Sequence, residues 1–290
     1  MRYEGDIYRP PSEAYSLIVQ VTVGCSHNKC SFCSMYKEKD FHVRPFADVL
    51  ADLRECRLRY KSVGRIFFAD GDCLCLSAEK LLPIVQVASE LFPECSRIAV
   101  YGSARHALSK TKAELSELCA AGLGMVYIGA ESGSPEVLKR ICKGETPESL
   151  ATGVRALEEA GIKTSVTFIS GMGGKELWKE HAELSAKLLC AMQPSYASLL
   201  TLMLSPLAPI TKEIEEGRFQ LLSPLEVLDE TELFIRNVEL AKPCVFRSNH
   251  ASNYLNLKGD LPGDKERFLL EIAAAKANPN ILKPEFFRAL

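Results

Sequence analysis

The sequence predicts an α/β fold. Six parallel strands alternate with helices to form a partial (β/α)6 barrel of TIM type, and a C-terminal α-rich extension covers it. Three observations carry this expectation. Short β-branched apolar runs recur, of the kind that suits strands buried on both faces. Longer amphipathic segments lie between them. The alternation stops near residue 205, where prolines gather at 206, 209 and 224.

The expected strands are 16–23, 65–70, 97–102, 124–130, 163–170 and 196–202. The helices between them are 45–60, 77–92, 111–122, 147–161 and 175–192, and a further one lies near 223–240. Ser77 and Thr111 stand where N-caps belong, and Gly122 and Gly161 where helices stop. Right-handed crossovers curl such a sheet toward a barrel, and six strands are fewer than the eight of a closed one. We therefore expect a core over 1–205 and an extension over 206–290, the latter irregular after its one long helix.

Composition narrows the function. With 290 residues and 47% hydrophobic content the chain can bury a large core. A formal net charge of -2 gives no reason to expect nucleic-acid or membrane-surface binding. No run approaches the roughly 18 apolar residues of a membrane span, and the first residues lack a signal-peptide core. The expected location is cytoplasmic. Most of the eleven cysteines, such as Cys119, Cys142 and Cys190, read as small core thiols in a reducing compartment.

Cys25, Cys30 and Cys33 differ. They form C-x4-C-x2-C directly after the first strand, the end at which ligands bind in parallel α/β folds. Thiolates at this density suit zinc or an iron–sulfur cluster. A structural zinc site closes with four ligands, which His27 or His42 could complete here. A [4Fe–4S] cluster on three cysteines leaves one iron open to a substrate or cofactor. Unliganded thiols are the third reading.

With an aromatic, Phe32, before the last cysteine, this stretch resembles the radical S-adenosylmethionine (radical SAM) enzymes. Their common spacing is C-x3-C-x2-C, so this chain has one extra residue in the first gap. Other segments follow in the family's order. Asp70-Gly71-Asp72 after the second strand resembles the motif that holds the methionine amino group. IGAESGS (128–134) places Glu131 and Ser132 like the family's GxESGS stretch, and ICKGET (141–146) resembles its NKG-type turn. FISGMGG (168–174) puts Gly171 in the glycine-rich strand end where backbone approaches adenine. Each glycine stretch also reads as an ordinary turn.

The resemblance, spanning roughly 16–205, implies a [4Fe–4S] cluster on Cys25, Cys30 and Cys33 that binds S-adenosylmethionine. Reductive cleavage would give a 5′-deoxyadenosyl radical that abstracts hydrogen from an unidentified substrate. Phe32, Asp70, Gly71, Asp72, Glu131, Ser132 and Gly171 would line the cofactor. Arg105 would fork its carboxylate, with Lys143 and Arg155 as competitors; a surface arginine is the plain alternative. His106 beside it is ambiguous in the same way. A flavodoxin, ferredoxin or reductase would supply electrons to act on a small-molecule substrate. In the tail, Asn249, His250 and Asn253 would meet that substrate as a lid, or else fix the tail's own fold as a buried polar cluster. Cys73 and Cys75 read as core residues rather than hydrogen donors. The competing function is a non-catalytic three-cysteine metal-binding or electron-transfer protein.

Overall fold

The structure, a computed structural model, describes residues 2–289, which divide into two compact units. The first gathers the chain up to Asn28, Met35–Ile128 and Thr152–Thr164. The second gathers Lys29–Ser34, Gly129–Ala151 and the chain from Ser165 onward.

The first unit holds β1 (Leu17–Gln20), β2 (Thr22–Val23), β3 (His42–Val43), α1 (Phe46–Arg59), β4 (Ile66–Ala69), α2 (Ala78–Leu91), β5 (Ile98–Gly102), α3 (Ala104–Leu108), α4 (Lys112–Ala120) and most of β6 (Leu123–Glu131). β1, β4, β5 and β6 pair in that order, all parallel. Ile66, Phe67, Phe68 and Ala69 of β4 are all buried, as expected of a strand covered on both faces. The helices follow the amphipathic segments closely. α1 packs on α2, and α2 on α4. Thr111 makes a full capping box with Glu114, and Gly122 ends that helix with φ +120°. Ser77 occupies the N-cap position of α2 without a side-chain cap bond.

The second unit contains α5 (Pro135–Arg140), the start of α6 (Pro147–Glu159), β7 (Lys163–Ser170) from Ser165, α7 (Gly174–Met192), β8 (Tyr196–Thr201), α8 (Ile210–Glu215), α9 (Pro224–Asn237), β9 (Cys244–Ser248), β10 (Leu257–Leu261) and α10 (Lys265–Ala277). β7, β8 and β9 pair parallel, and β10 returns antiparallel on β9. α9 packs on both α7 and α10.

All six expected strands form, the first divided at Val21. The tail departs from expectation: it is not irregular after 240 but adds β9 and β10 to the strands. CVFRS and LKGDL are short, and each buries only two apolar residues on its inner face: Cys244 and Phe246 in one, Leu257 and Leu261 in the other, with Val245 half-buried. Strands this short and polar take their stability from the neighbouring strand's ladder, which a local reading does not register.

Candidate active site

In the first unit, the site residues collect where β2, β4 and β5 end. Gly71 sits on the backbone of the cysteine loop, its amide donating to Gly24 O at 3.0 Å. A Cβ on Gly71 would stand 2.9 Å from Cys25 Cβ and 2.8 Å from the Tyr36 ring, so only glycine allows this approach. Cys25 and the Asp70-Gly71-Asp72 turn are thereby packed together. The base of the cysteine loop is closed by Asn28, whose Nδ2 donates to Tyr36 O at 2.6 Å while Lys37 Nζ donates to Asn28 O at 2.9 Å.

The two aspartates are held differently. Asp70 is fully buried; its Oδ2 accepts from Lys39 Nζ at 2.7 Å and from Gly24 N at 3.2 Å. Burial, then the Asp70 charge, raises the adjacent Tyr36 hydroxyl well above the ordinary phenol range. Asp72 is 3% exposed. Its Oδ2 accepts from Ser26 Oγ at 2.9 Å, Ser103 Oγ at 3.2 Å and His106 Nδ1 at 2.7 Å. Its Oδ1 is buried with no hydrogen-bond partner. A carboxylate anchored through one oxygen and presenting the other is built to receive a donor. Arg105 lies half-buried on α3, one residue before His106. Lys110 ties this corner together, donating to Leu74 O at 2.7 Å and His106 O at 3.1 Å; burial lowers its pKa, with Asp72 and Cys75 opposing.

Cys73 is a core residue, as expected. It is fully buried, donates to Phe68 O at 3.3 Å, and burial pushes its thiol far up. Cys75 is only partly buried, and burial followed by the Asp72 charge raises it to about 12. His42 is exposed on β3, 3.4 Å from Glu4.

The second unit carries Cys30, Phe32 and Cys33 in a half-buried turn. Ser31 pins that turn on both sides: its amide donates to Ile141 O at 2.9 Å, and its carbonyl accepts from Ile210 N at 2.8 Å. Glu131 ends β6 with φ +65° and is met by Lys143 Nζ at 3.2 Å. Burial raises Glu131, with Lys143 opposing. Burial works against the Lys143 charge, yet Glu131, with Cys30 and Glu145 adding to it, carries that amine above its ordinary value. A Cβ on Gly129 would fall 1.9 Å from Glu131 Oε1, so glycine here lets the carboxylate lie where it does.

Ser132 and Gly171 are held by buried groups. Ser132 Oγ accepts from Ser134 N at 3.0 Å and lies 2.8 Å from His181 Nδ1. Gly171, with φ +84°, donates its amide to Glu230 Oε1 at 2.8 Å.

The tail residues separate. Asn249 is exposed and His250 half-buried. Asn253 is 3% exposed; its Oδ1 accepts from Thr201 at 2.9 Å, and its Nδ2 donates to Leu199 O at 2.9 Å and Ser248 Oγ at 3.2 Å. Ser252 N donates to His250 Nδ1 at 3.2 Å, which leaves the neutral ring's proton on Nε2. Burial, then Lys283, lowers the His250 pKa.

The radical SAM superfamily model matches residues 19–185. The chain belongs to the radical SAM superfamily. It is 24% identical over 199 residues to the 4′-phospho-dehydrooxetanocin synthase of Priestia megaterium, covering 62% of this chain and 27% of that protein. The chain thus spans about a quarter of that relative's length. Among solved structures, methylornithine synthase (PylB) matches with a TM-score of 0.56 at 14% identity, over 89% of this chain and 68% of that one. The radical S-adenosylmethionine methyltransferase TsrM of Kitasatospora setae matches with 0.58 at 23%, over 74% and 43%. The Escherichia coli coproporphyrinogen III oxidase HemN matches with 0.56 at 19%, over 76% and 52%. At these identities the structural likeness speaks for the fold, the partial TIM-like α/β barrel of radical SAM enzymes.

Radical SAM enzymes use a [4Fe–4S] cluster and S-adenosylmethionine, and the residues present fit both. None of the eleven cysteines is in a disulfide. Among the described residues no three His, Cys, Asp or Glu side chains are arranged around a single metal ion. A cluster makes a different demand, since each thiolate binds its own iron. The buried, unpartnered Asp72 Oδ1 suits an ammonium group. Among the described residues, no helix is long and apolar enough to cross a membrane.

Several residues that hold these positions are not evident in the sequence: Ser26, Lys39 and Ser103 in the first unit, and His181 and Glu230 in the second. Lys39 and Ser103 are near the motifs in sequence but unremarkable in type. His181 and Glu230 come from the middle of amphipathic helices, where only an inward-facing charge signals them.

Proposed function

We propose that this chain reductively cleaves S-adenosylmethionine at a [4Fe–4S] cluster held by Cys25, Cys30 and Cys33, and uses the 5′-deoxyadenosyl radical to take hydrogen from a small-molecule substrate. The observation that carries this is Asp72, whose Oδ2 is fixed by three donors and whose Oδ1 is buried without a partner, on a turn that Gly71 packs against Cys25. The cofactors supply the radical chemistry; the chain supplies binding and orientation.

In this reading Asp72 Oδ1 receives the methionyl ammonium through a charge-assisted hydrogen bond. Asp70, balanced by Lys39, holds the Gly24 backbone that leads into Cys25. Glu131, held by Lys143, faces the ribose or methionyl part, and Arg105 takes the carboxylate. Phe32, Gly71, Ser132 and Gly171 shape the surrounding wall. His250 offers Nε2–H to substrate beside the exposed Asn249, and Asn253 fixes the loop that carries them by joining the ends of β8 and β9. A flavodoxin- or ferredoxin-type donor supplies the electron.

The test is anaerobic reconstitution with iron and sulfide, then dithionite and S-adenosylmethionine. 5′-Deoxyadenosine and methionine should form with the native chain and not with Cys25→Ala, Cys30→Ala or Cys33→Ala. Cys56→Ala, Cys95→Ala, Cys119→Ala and Cys190→Ala should still form them. A triad variant that keeps a full cluster spectrum and activity refutes the ligand set.

A further inference from the structure

Two of the cofactor-facing positions, Ser132 and Gly171, are joined through buried side chains that no motif contains. Gly171 N–H donates to Glu230 Oε1 at 2.8 Å. Ser132 Oγ lies 2.8 Å from His181 Nδ1, and His181 Nε2 lies 3.1 Å from Ile169 O, two residues before Gly171. The two rings of contact meet, with His181 Nε2 at 3.8 Å from Glu230 Oε1. His181 and Glu230 are each 2% exposed.

The proton positions follow from the partners. Ile169 O can only accept, so His181 Nε2 carries the proton, and Ser132 donates its hydroxyl proton to Nδ1. Burial lowers His181 to about 4 and raises Glu230 to about 8, which favours the neutral form of each at neutral pH. Glu230 is therefore not half of an ion pair. It is a buried carboxylic acid on α9 whose Oε1 caps the turn after β7, while its Oε2 is buried with no partner. An aliphatic side chain would fill this position at lower desolvation cost, but it could not accept from Gly171.

Gly171 needs such a partner. With φ +84° its backbone is in a region open chiefly to glycine, and the chain reverses at once into α7. Gly173 packs so close that a Cβ there would stand 3.0 Å from His181 Cβ, which fixes the same turn from the other side. The tail helix α9 and the core helix α7 thus act on one short stretch of backbone.

We infer that Glu230 and His181 are positioning residues that hold the Gly171 backbone and the Ser132 side chain in one geometry for the adenosyl half of the cofactor. The inference rests on the reading of Ser132 and Gly171 as cofactor-facing.

The experiment compares full-length Glu230→Met, Glu230→Gln and Gly171→Ala with the native chain. Hydrogen exchange is followed in peptides covering 168–174 before reconstitution, and S-adenosylmethionine affinity is measured calorimetrically after it. Glu230→Met removes the acceptor along with an expensive buried group, so it should fold with an undiminished Tm. It should exchange about tenfold faster in this stretch and bind S-adenosylmethionine about tenfold more weakly, the scale of one hydrogen bond. Glu230→Gln keeps an acceptor and should restore both. Unchanged exchange in Glu230→Met refutes the positioning role. Faster exchange with native affinity, while Gly171→Ala binds weakly, refutes the inference and leaves the cofactor site standing. Native affinity in Gly171→Ala as well overturns the reading of Gly171 itself.

Discussion

His106 Nδ1 lies 2.7 Å from Asp72 Oδ2, and Ser103 Oγ lies within hydrogen-bond distance of both, so the orientation of the carboxylate is set from α3. Asp72→Ala should lower S-adenosylmethionine affinity by about ten- to a hundredfold, the worth of a charge-assisted hydrogen bond of about 1.5–3 kcal/mol. His106→Ala leaves the charge but frees the carboxylate to turn. It should cost about tenfold and be partly recovered in His106→Asn. Both variants should keep the cluster's absorption spectrum. Native affinity in both, measured by calorimetry on reconstituted protein, would return Asp72 to an ordinary turn residue.

Glu131 and Gly129 give a second test that needs no charge change. Gly129→Ala puts a methyl group 1.9 Å from Glu131 Oε1, which must swing away from Lys143. We expect weakened S-adenosylmethionine binding comparable to Glu131→Ala, with the cluster retained. A crystal structure of Gly129→Ala with the Glu131–Lys143 pair intact would contradict this.

The buried pair on α7 and α9 sets a pH dependence of stability. The Glu230 pKa is raised from 4.5 to about 8, so its contribution is complete below about 4.5 and is lost as pH rises through about 8. The His181 pKa is lowered from 6.5 to about 4, so its contribution is complete above about 6.5 and is lost as pH falls through about 4. Thermal unfolding across this range should show the alkaline loss flattened in Glu230→Gln and the acid loss flattened in His181→Asn. Identical profiles for variant and native protein would show that neither group titrates as described.

The loop that carries His250 is held by Arg288. Its guanidinium donates to Ser252 O at 2.6 Å and Leu202 O at 3.0 Å, and lies 4.1 Å over the Tyr254 ring. Arg288→Ala should make residues 249–254 the first site of limited proteolysis while the cluster stays intact. His250→Ala should spare the cluster and cofactor binding, and uncoupled cleavage of S-adenosylmethionine should persist or rise. A large loss of Tm in His250→Ala without any change in coupling would make it a scaffold residue.

The core of the fold was legible because each of the six expected strands is a continuous or alternating apolar run between helices with recognisable ends; the exposed two-residue β3 carries no such signal. β9 and β10 were not, because CVFRS and LKGDL are strands only beside their neighbours. The motif residues were legible in the same local way: Cys25, Asp72 and Glu131 stand at strand ends in a fixed order. What the sequence conceals is the support around them. Ser103 and His106 matter through their distance to Asp72, a residue more than thirty positions away. Glu230 is one acidic residue among several on α9, and only its burial distinguishes it from Asp229 and Glu232, which face Lys276. Lys143, a candidate partner for the cofactor's carboxylate by sequence, is paired with Glu131 across twelve positions, which no local motif announces.

The central claim is a cluster with an iron open to S-adenosylmethionine, and electron paramagnetic resonance tests it most directly. The anaerobically reconstituted, dithionite-reduced protein should show a [4Fe–4S] signal that changes on adding S-adenosylmethionine, and the change should be lost or shifted to higher cofactor concentration in Asp72→Ala. A colourless, zinc-loaded protein, or a cluster signal indifferent to S-adenosylmethionine, would contradict the account.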